Sequence, residues 1–220
     1  MKPSDDRQHA HEHRHETDGA PPQTAPKVAG HDTATPPALI AFMLQGWKPA
    51  SRALPKPVVE HGAFLARRRA LSAMFPGEAL VIATGHEKVR ANDTHYRFRP
   101  GTDFYYVTGN QEPDCVLVMV PTKKGHRDVL FVEPNPGRSD ATFFTDRNKG
   151  ELWVGPRLGV EQSCARFGVD ECMSLAELKT FVAPLAKGKF RVLRGFSPEL
   201  DGVFAKQPEK DAELVERQSG

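Results

Sequence analysis

The chain has 220 residues, with 30 lysines and arginines against 28 aspartates and glutamates and a formal net charge of +2. A charge excess this small, and not concentrated anywhere, excludes the basic footprint of a nucleic-acid-binding protein. Hydrophobic residues make up 39% of the chain, but no apolar run approaches the ~20 residues of a transmembrane helix. We therefore expect a globular core and neither nucleic acid nor membrane as a partner.

Residues 1–37 differ in composition from the rest of the chain. Their only large apolar side chains are Met1 and Val28, among many His, Pro, Thr, Ala, Asp and Glu residues. So little apolar area cannot offset a backbone entropy of about 1–2 kcal/mol per residue, so a disordered His/Pro-rich tail is predicted. The alternating histidines of this tail indicate either loose binding of nickel, copper or zinc or a solvated segment of biased composition: His9, His11, His13 and His15.

The compartment is predicted from the cysteines and from the absence of an export-signal pattern in the tail. Cys115, Cys164 and Cys172 are an odd number, which argues against a disulfide framework and for a reducing cytoplasm. Cys115 lies in an apolar run and is expected in the core. The spacing of Cys164 and Cys172, with no second pair, does not favour a zinc site.

Residues 38–58 are predicted to be a short docking segment. The apolar run from Leu39 to Leu44 lies between Pro37 and Pro49. This pattern predicts a short helix that docks on another surface or on the body of the same chain.

Residues 59–205 carry the patterns of one α/β domain. Helical spacing of apolar residues from Phe64 to Phe75 predicts a helix that stops at Pro76-Gly77. The apolar run 79–83 predicts a strand covered on both faces. The runs 104–107 and 116–120 flank a turn-rich segment and predict a hairpin, and 129–132 predicts a further strand.

The second half of this domain is predicted to alternate between helices and a strand. Polar segments around 140–149 and 160–167 are expected to be helical. Ser174 and Glu177 have capping-box spacing, which predicts a helix through Leu185, and residues 190–193 form the last predicted strand. The whole pattern predicts a mixed β-sheet flanked by helices, preceded by the disordered tail.

The sequence lacks the common motifs of nucleophilic hydrolases, phosphate-binding loops and zinc proteases. The candidate functional residues are therefore sought in its two densest polar clusters. Residues 90–103 contain three arginines and two aspartates in a connection between predicted strands. Such a loop either holds a carboxylate or an amine of a ligand, or is fixed by its own Asp–Arg pairs. The four histidines of the body are expected to be surface or turn residues: His61, His86, His95 and His126.

The second cluster, residues 150–157, places Trp153 between glycines with Arg157 nearby. A flat apolar ring beside a cation suits an interface anchor or a lid over a small ring. An ordinary core tryptophan is the equally open alternative.

Both clusters and the motifs around them resemble the N-terminal domain of aminopeptidase P, from the Xaa-Pro aminopeptidases of the creatinase and prolidase superfamily, actinobacterial type. The resemblance spans roughly two thirds of the 220 residues. The matching motifs, in order, are Phe64 with Arg67 to Leu71, Asn92 to Thr94 with Tyr96, Phe98 and Arg99, Asp103 to Gly109, Glu112 to Asp114, and Glu151 to Gly159.

The resemblance implies a first domain built on a mixed sheet and a second, "pita-bread" domain that carries two divalent metals, usually manganese. Those metals activate a water that attacks the peptide bond before a proline. The metal-ligand motifs are not found in these 220 residues, and residues 206–220 match the start of an interdomain helix that is cut short. We therefore expect no metal bound to this chain and no activity from it alone.

The resemblance also implies roles for individual residues. Asp93 corresponds to a residue that recognises the free amino end of the substrate, and Trp153 to one that packs near the proline ring. Arg99, Tyr106 and Arg157 lie in the matching motifs and are expected to have structural or supporting roles.

The function expected from the resemblance is that of an N-terminal domain of a metal-dependent Xaa-Pro aminopeptidase. It would act on proline-containing peptides and contribute substrate recognition and subunit contacts, in a homo-oligomer or with a catalytic-domain partner. The alternative is a stand-alone binding or oligomerisation module for a separate catalytic subunit.

Overall fold

The computed structural model describes residues 35–48, 53–91 and 94–205. The predictions for the tail before residue 35, for Asp93 and for residues 206–220 lie outside this part of the chain. The described residues contain a five-stranded sheet in the order β6-β5-β4-β1-β7 and a two-stranded ribbon of β2 and β3. The strands are β1 (Ala79–Ala83), β2 (Val89–Ala91), β3 (Thr94–His95), β4 (Val116–Thr122), β5 (Gly125–Val132), β6 (Glu171–Ser174) and β7 (Phe190–Val192).

The sheet is mixed because one central strand runs against the others. Strand β4 pairs antiparallel with both β1 and β5. Strand β7 runs parallel to β1, and β6 runs parallel to β5. The carboxyl ends of β1, β5, β6 and β7 therefore meet at one edge of the sheet, and β4 begins at that same edge.

Helices cover both faces of the sheet, as the sequence predicts. They are α1 (Pro37–Met43), α2 (His61–Met74), α3 (Thr102–Thr108), α4 (Thr142–Thr145), α5 (Glu151–Val154), α6 (Val160–Phe167), α7 (Leu178–Val182) and α8 (Pro198–Val203). Alternate residues of β1, β4 and β5 point to opposite faces. Val81, Val118 and Val129 pack towards α7 and α8. Their neighbours Leu80, Leu117 and Leu130 pack towards α3 and α6.

A buried arginine ties one of these helical layers to the sheet. Helix α2 buries Phe64, Arg68 and Ser72, which recur every fourth residue along one face. The Arg68 side chain donates to the Asp128 carboxylate of β5 at 2.6 Å. It also donates to the backbone carbonyl of Val107 at 3.0 Å and to that of Gly168 at 2.7 Å. One guanidinium thus joins α2, the end of α3, β5 and the end of α6.

One predicted strand is wrong: residues 104–107 form the middle of helix α3. The buried residues of this segment are Phe104, Val107 and Thr108, which have helical spacing, whereas the intervening tyrosines are exposed. Gly109 ends the helix at φ +68°, and its N–H donates to the Tyr105 carbonyl. A Cβ there would lie 2.3 Å from the Phe64 ring, so glycine is required by both conformation and space.

Three further details differ from the prediction. The hairpin is formed by β4 and β5, with Thr122 opposite Gly125, and not by residues 104–107 with 116–120. The short edge strand β6 has no counterpart among the predicted elements. The helix expected from Ser174 to Leu185 is interrupted: the capping box of Ser174 and Glu177 is present, but it opens a 3₁₀ turn that precedes α7, and a second 3₁₀ turn begins at Leu185 after Pro184.

The remaining predicted elements are confirmed. Helix α2 ends at Met74, just before Pro76-Gly77, and α6 has the predicted bounds. Strands β1, β4 and β5 cover the predicted apolar runs, β7 covers 190–192 of the predicted 190–193, and α1 covers most of the early run. Within residues 140–149 only α4 is an α-helix. Among the described helices, none has the length and apolar character that crossing a bilayer requires.

Candidate functional site

The segments that follow β1, β5 and β7 gather at one edge of the sheet, together with the segment that precedes β4. In open α/β sheets the crevice outside the carboxyl ends of the strands is the usual position of a ligand. The long connection from β5 to α6 lies here and carries Trp153 and Arg157. This edge is the candidate functional site.

Trp153 is held in a fixed but half-exposed position on the short helix α5. Its side chain is 50% exposed, so the alternative of an ordinary core tryptophan is wrong. The indole N–H donates to the Phe144 carbonyl at 2.7 Å, and the Arg147 guanidinium lies 5.3 Å from the ring centroid. Because its only polar group is already used, the ring presents an apolar π surface to solvent.

A hydrogen-bond network centred on Glu151 fixes the chain around this tryptophan. One oxygen of the Glu151 carboxylate accepts from the Asn135 side-chain amide at 2.7 Å and from the backbone N–H of Arg157 at 2.8 Å. The Asn135 amide also donates to the Arg157 carbonyl, and the Arg157 guanidinium donates to the Lys149 carbonyl at 2.7 Å. The start and end of the Trp153 segment are thereby tied to each other and to the end of β5.

A close backbone approach brings the same segment against α4. A Cβ on Gly150 would lie 2.5 Å from the Thr142 carbonyl oxygen, so only glycine fits there. A cavity of about 200 Å³ remains beside this contact, and its walls are both acidic and basic. Its charged lining residues are Glu133, Asp140, Asp146, Lys149, Glu151 and Arg157.

Two titratable groups at this edge have shifted pKa values. Burial raises the pKa of the Glu112 carboxyl, and the positive charge of Arg157 partly offsets that effect. Burial disfavours a charged His86, but its hydrogen bonds to the Asp114 carboxylate and the Phe196 carbonyl outweigh that cost, so the pKa of His86 is raised. Both partners of His86 are acceptors, so both ring nitrogens donate only in the protonated imidazole.

The structure brings together only some of the residues singled out in the sequence. Trp153 and Arg157 lie in one segment at the edge of the sheet, and the hydrogen bonds of Arg157 to Glu151 and to the Lys149 carbonyl close that segment around the tryptophan. Tyr106 belongs to α3, where its carbonyl accepts from Arg67 at 3.1 Å and its ring lies 4.3 Å from that guanidinium. Arg99 is exposed between β3 and α3. Asp93 is outside the described residues.

Sequence reasoning misses three residues that shape this edge. Glu151 opens a matching motif, and its position two residues before Trp153 is the available signal. Asn135 lies in a Pro-Asn-Pro turn, which indicates a turn but no particular partner. His86 is expected to be an ordinary surface or turn residue, and its partners Asp114 and Phe196 are far away along the chain.

The described residues contain no group of three or more His, Cys, Asp or Glu side chains placed to hold a metal ion. Glu151 is hydrogen-bonded and Glu133 pairs with Lys149 at 3.3 Å. A pair of divalent metals therefore does not fit the donor sets of this part of the chain, and no step through a metal is derived for it.

Comparison with protein families gives one match over most of this domain. The sequence model of the family described as "Aminopeptidase P, N-terminal domain" matches residues 64–193. This range includes most of α2, the whole five-stranded sheet and the connection that carries Trp153.

Similar proteins include two Xaa-Pro aminopeptidases from one bacterium. The chain is 36% identical over 176 residues to Xaa-Pro aminopeptidase 1 of Streptomyces coelicolor, covering 78% of this chain and 35% of that protein. It is 34% identical over 177 residues to Xaa-Pro aminopeptidase 2 of the same species, covering 80% and 37%. The chain thus spans about a third of the length of these relatives.

Solved structures show the same similarity. The low-pH form of aminopeptidase P from Escherichia coli aligns with a TM-score of 0.55 and 29% identity, over 67% of this chain and 32% of that one. The same enzyme with the inhibitor Pro-Leu aligns with a TM-score of 0.55 and 28% identity, over 68% and 32%. A zinc-substituted form in complex with product aligns over 74% of this chain and 35% of that one, at 28% identity and a TM-score of 0.55.

Proposed function

This chain belongs to the family of aminopeptidase P N-terminal domains, and on that premise we propose that it is the substrate-recognition part of a metal-dependent Xaa-Pro aminopeptidase. The reaction would release the residue that precedes a proline at the N-terminus of a peptide. The two metals, manganese by resemblance to the family, would be held by a catalytic domain. The chemistry they supply when bound is activation of water for attack on the peptide bond.

The observation that carries this proposal is the state of Trp153. An exposed aromatic side chain that is also rigid loses little entropy when a ligand packs on it, so it is an efficient contact for an apolar ring. Trp153 meets both conditions, because it is half-exposed and its indole N–H is bound to the Phe144 carbonyl. A proline ring is apolar and has no N–H, so it needs no donor or acceptor from this surface.

The other residues are assigned supporting tasks. Asp93 would accept hydrogen bonds from the free amino group of the substrate, an assignment that rests on the sequence motif alone. Arg157 and Glu151 would position Trp153 through the network that closes its segment. Arg99 and Tyr106 would have structural roles, with Tyr106 fixing α3 to α2 through Arg67.

A chimera tests the assignment of Trp153. The region of the Streptomyces coelicolor Xaa-Pro aminopeptidase 1 that matches this chain is replaced by the corresponding residues of this chain, and cleavage of an Arg-Pro-Pro peptide is measured with manganese. We expect Trp153→Ala to lower kcat/KM about tenfold or more and Trp153→Phe to retain most of it. Asp93→Asn should raise KM. Leu152→Ala, which removes an adjacent exposed apolar side chain, is the matched control.

The chain without a catalytic domain provides the complementary test. It should not cleave the peptide when manganese is added. Turnover proportional to the concentration of this chain, or a chimera in which Trp153→Ala cleaves as fast as the unmodified chimera, would contradict the proposal.

A second function is favoured by the apolar side chains beside Trp153. Leu152 and Val154 are exposed on the same short helix, which is a feature of contact surfaces between proteins. The chain would then be a binding or oligomerisation module for a separate catalytic subunit. Recovery of activity on mixing this chain with the isolated catalytic half of the Streptomyces enzyme would support this function. A monomeric chain that binds neither itself nor that half would exclude it.

A further inference from the structure

The residue that fixes Trp153 also contacts the second tryptophan of the chain. Trp47 follows α1, and its ring packs against Phe144 of α4 with the ring centroids 6.1 Å apart. Trp153 donates its indole N–H to the carbonyl of that same residue at 2.7 Å. Both indoles therefore contact Phe144: Trp47 packs against the Phe144 ring, and Trp153 donates to the Phe144 backbone carbonyl. These are the two tryptophans of the chain.

The chemistry of the two rings is alike. Trp47 is 46% exposed and Trp153 is 50% exposed. The indole N–H of Trp47 donates to the Met43 carbonyl, as that of Trp153 does to the Phe144 carbonyl. Neither indole therefore offers a hydrogen-bond donor to a ligand, and the part of each ring that remains exposed is apolar.

The donors at this surface come from guanidinium groups instead, because Arg147 lies 5.3 Å from the Trp153 ring centroid and a second arginine lies beside Trp47. The Arg138 guanidinium lies 4.6 Å from the Trp47 ring centroid and 5.7 Å from that of Phe143. Arg138 is exposed. A guanidinium has five N–H donors and no acceptor, so the surface formed by Trp47, Arg138 and Trp153 offers apolar rings and donors.

A proline-rich peptide has the complementary chemistry. Each proline contributes an apolar ring and a carbonyl acceptor but no N–H donor. Such peptides adopt the polyproline II helix without a partner, and aromatic-lined grooves recognise that helix in several unrelated domains. The polyproline II helix rises about 3.1 Å per residue. A peptide of a few residues is therefore long enough to reach both Trp47 and Trp153, since both tryptophans contact Phe144.

We propose that Trp47, Arg138 and Trp153 form an extended subsite for proline-rich peptides, in which Trp47 contacts residues beyond those that Trp153 contacts. The inference rests on the proposed function, because it places the peptide on Trp153 as the substrate of that function. It makes Trp47 a determinant of preference for substrates with more than one proline. Arg138 would donate to a peptide carbonyl beside the Trp47 ring.

The full chain, labelled with ¹⁵N, provides a direct test, because its two indole N–H signals are assigned by Trp47→Phe and Trp153→Phe. The probes are the peptide Pro₆-Lys and, as control, Ala₆-Lys. We expect Pro₆-Lys to shift both signals with one common Kd, and Ala₆-Lys to shift neither. Trp47→Ala should weaken binding of Pro₆-Lys about tenfold and Arg138→Gln about threefold. Phe42→Ala, which removes a 72% exposed aromatic side chain of α1, should not weaken it.

Several results would overturn the subsite. A shift of the Trp153 signal alone would remove Trp47 from the subsite and leave the proposed function intact. Equal shifts with Ala₆-Lys would show contact without preference for proline. Equal weakening by Phe42→Ala would show that binding does not depend on Trp47 in particular. Signals that move on dilution without peptide would assign the surface to a second copy of the chain. If neither signal moves, the subsite is wrong, whereas the proposed function is tested separately by the Trp153→Ala chimera and by the activity of the chain without a catalytic domain.

Discussion

Arg68 is predicted to contribute more to stability than any ordinary helix residue, and the structure allows the size of the effect to be worked out. Its side chain is 1% exposed and satisfies three acceptors: the Asp128 carboxylate and the carbonyls of Val107 and Gly168. Arg68→Met keeps most of the apolar volume but removes every donor. Asp128, itself buried, would then be left without its counter-charge.

Removing one partner of a buried ion pair costs about 3–5 kcal/mol, because the remaining charge stays desolvated. The two carbonyls that lose a donor add to this cost unless water reaches them. We therefore expect Arg68→Met to lower the free energy of unfolding by about 3–5 kcal/mol, a large part of the ~5–15 kcal/mol available to a domain. The neighbouring Arg69 is exposed, and Arg69→Met should change stability by about 0.5 kcal/mol or less.

Urea unfolding of the full chain, followed by far-UV circular dichroism, measures both variants and compares their midpoints at equal m-values. A double variant, Arg68→Met with Asp128→Leu, should recover part of the loss, since it removes the uncompensated charge. The prediction fails if Arg68→Met and Arg69→Met unfold at the same urea concentration. It also fails if Asp128→Leu lowers the free energy of unfolding by the same amount in the Arg68→Met background as it does alone, because the two side chains would then act independently.

Three further predictions concern the edge of the sheet and its support. In the folded protein the pKa of His86 is raised above its ordinary value of 6.5. The protonated side chain therefore stabilises the fold fully below pH 6.5, and this stabilisation is lost as the pH rises through the pKa of the folded state. His86→Gln should remove this part of the pH dependence of unfolding. Gly109→Ala should cost about 2 kcal/mol or more, because the left-handed backbone and the Phe64 ring both oppose a Cβ. Glu151→Ala should increase acrylamide quenching of Trp153 in a Trp47→Phe background, because it releases the Arg157 N–H and the Asn135 amide.

Each of these predictions has a matched control or a contradicting outcome. Gly77 has a similar φ of +77°, but a Cβ there would meet open space, so Gly77→Ala should cost only about 1 kcal/mol. Equal losses of stability in Gly77→Ala and Gly109→Ala would show that the Phe64 ring does not add to the cost at Gly109. Glu161→Ala removes an exposed carboxylate from the first turn of α6 and should leave the quenching of Trp153 unchanged. An unchanged pH dependence in His86→Gln would show that another group carries it.

Local sequence identifies the segment that carries the candidate site, but it does not determine how exposed its tryptophan is. Trp153, Glu151 and Arg157 lie within seven residues, and their motif identifies the segment from sequence alone. The motif leaves the exposure of the indole open, because the same residues suit a buried ring. That choice depends on Phe144, whose carbonyl takes up the indole N–H and holds the ring at the surface. The contact of Trp47 with Phe144 spans about a hundred residues of sequence and has no local signal.

Local sequence is sufficient for the family, the α/β class and the central strands, because continuous apolar runs such as 79–83 and 129–132 are stable only when both faces are covered. Other features depend on long-range packing. The aromatic run 104–107 favours a strand by local preference, yet it is a helix because helical spacing buries Phe104 and Val107 together. Arg68 has the local pattern of a surface arginine, and it is buried because its acceptors come from 39, 60 and 100 residues away. Only the folded chain brings those acceptors to one place, and burial of a charge is favourable only where its partners are already assembled.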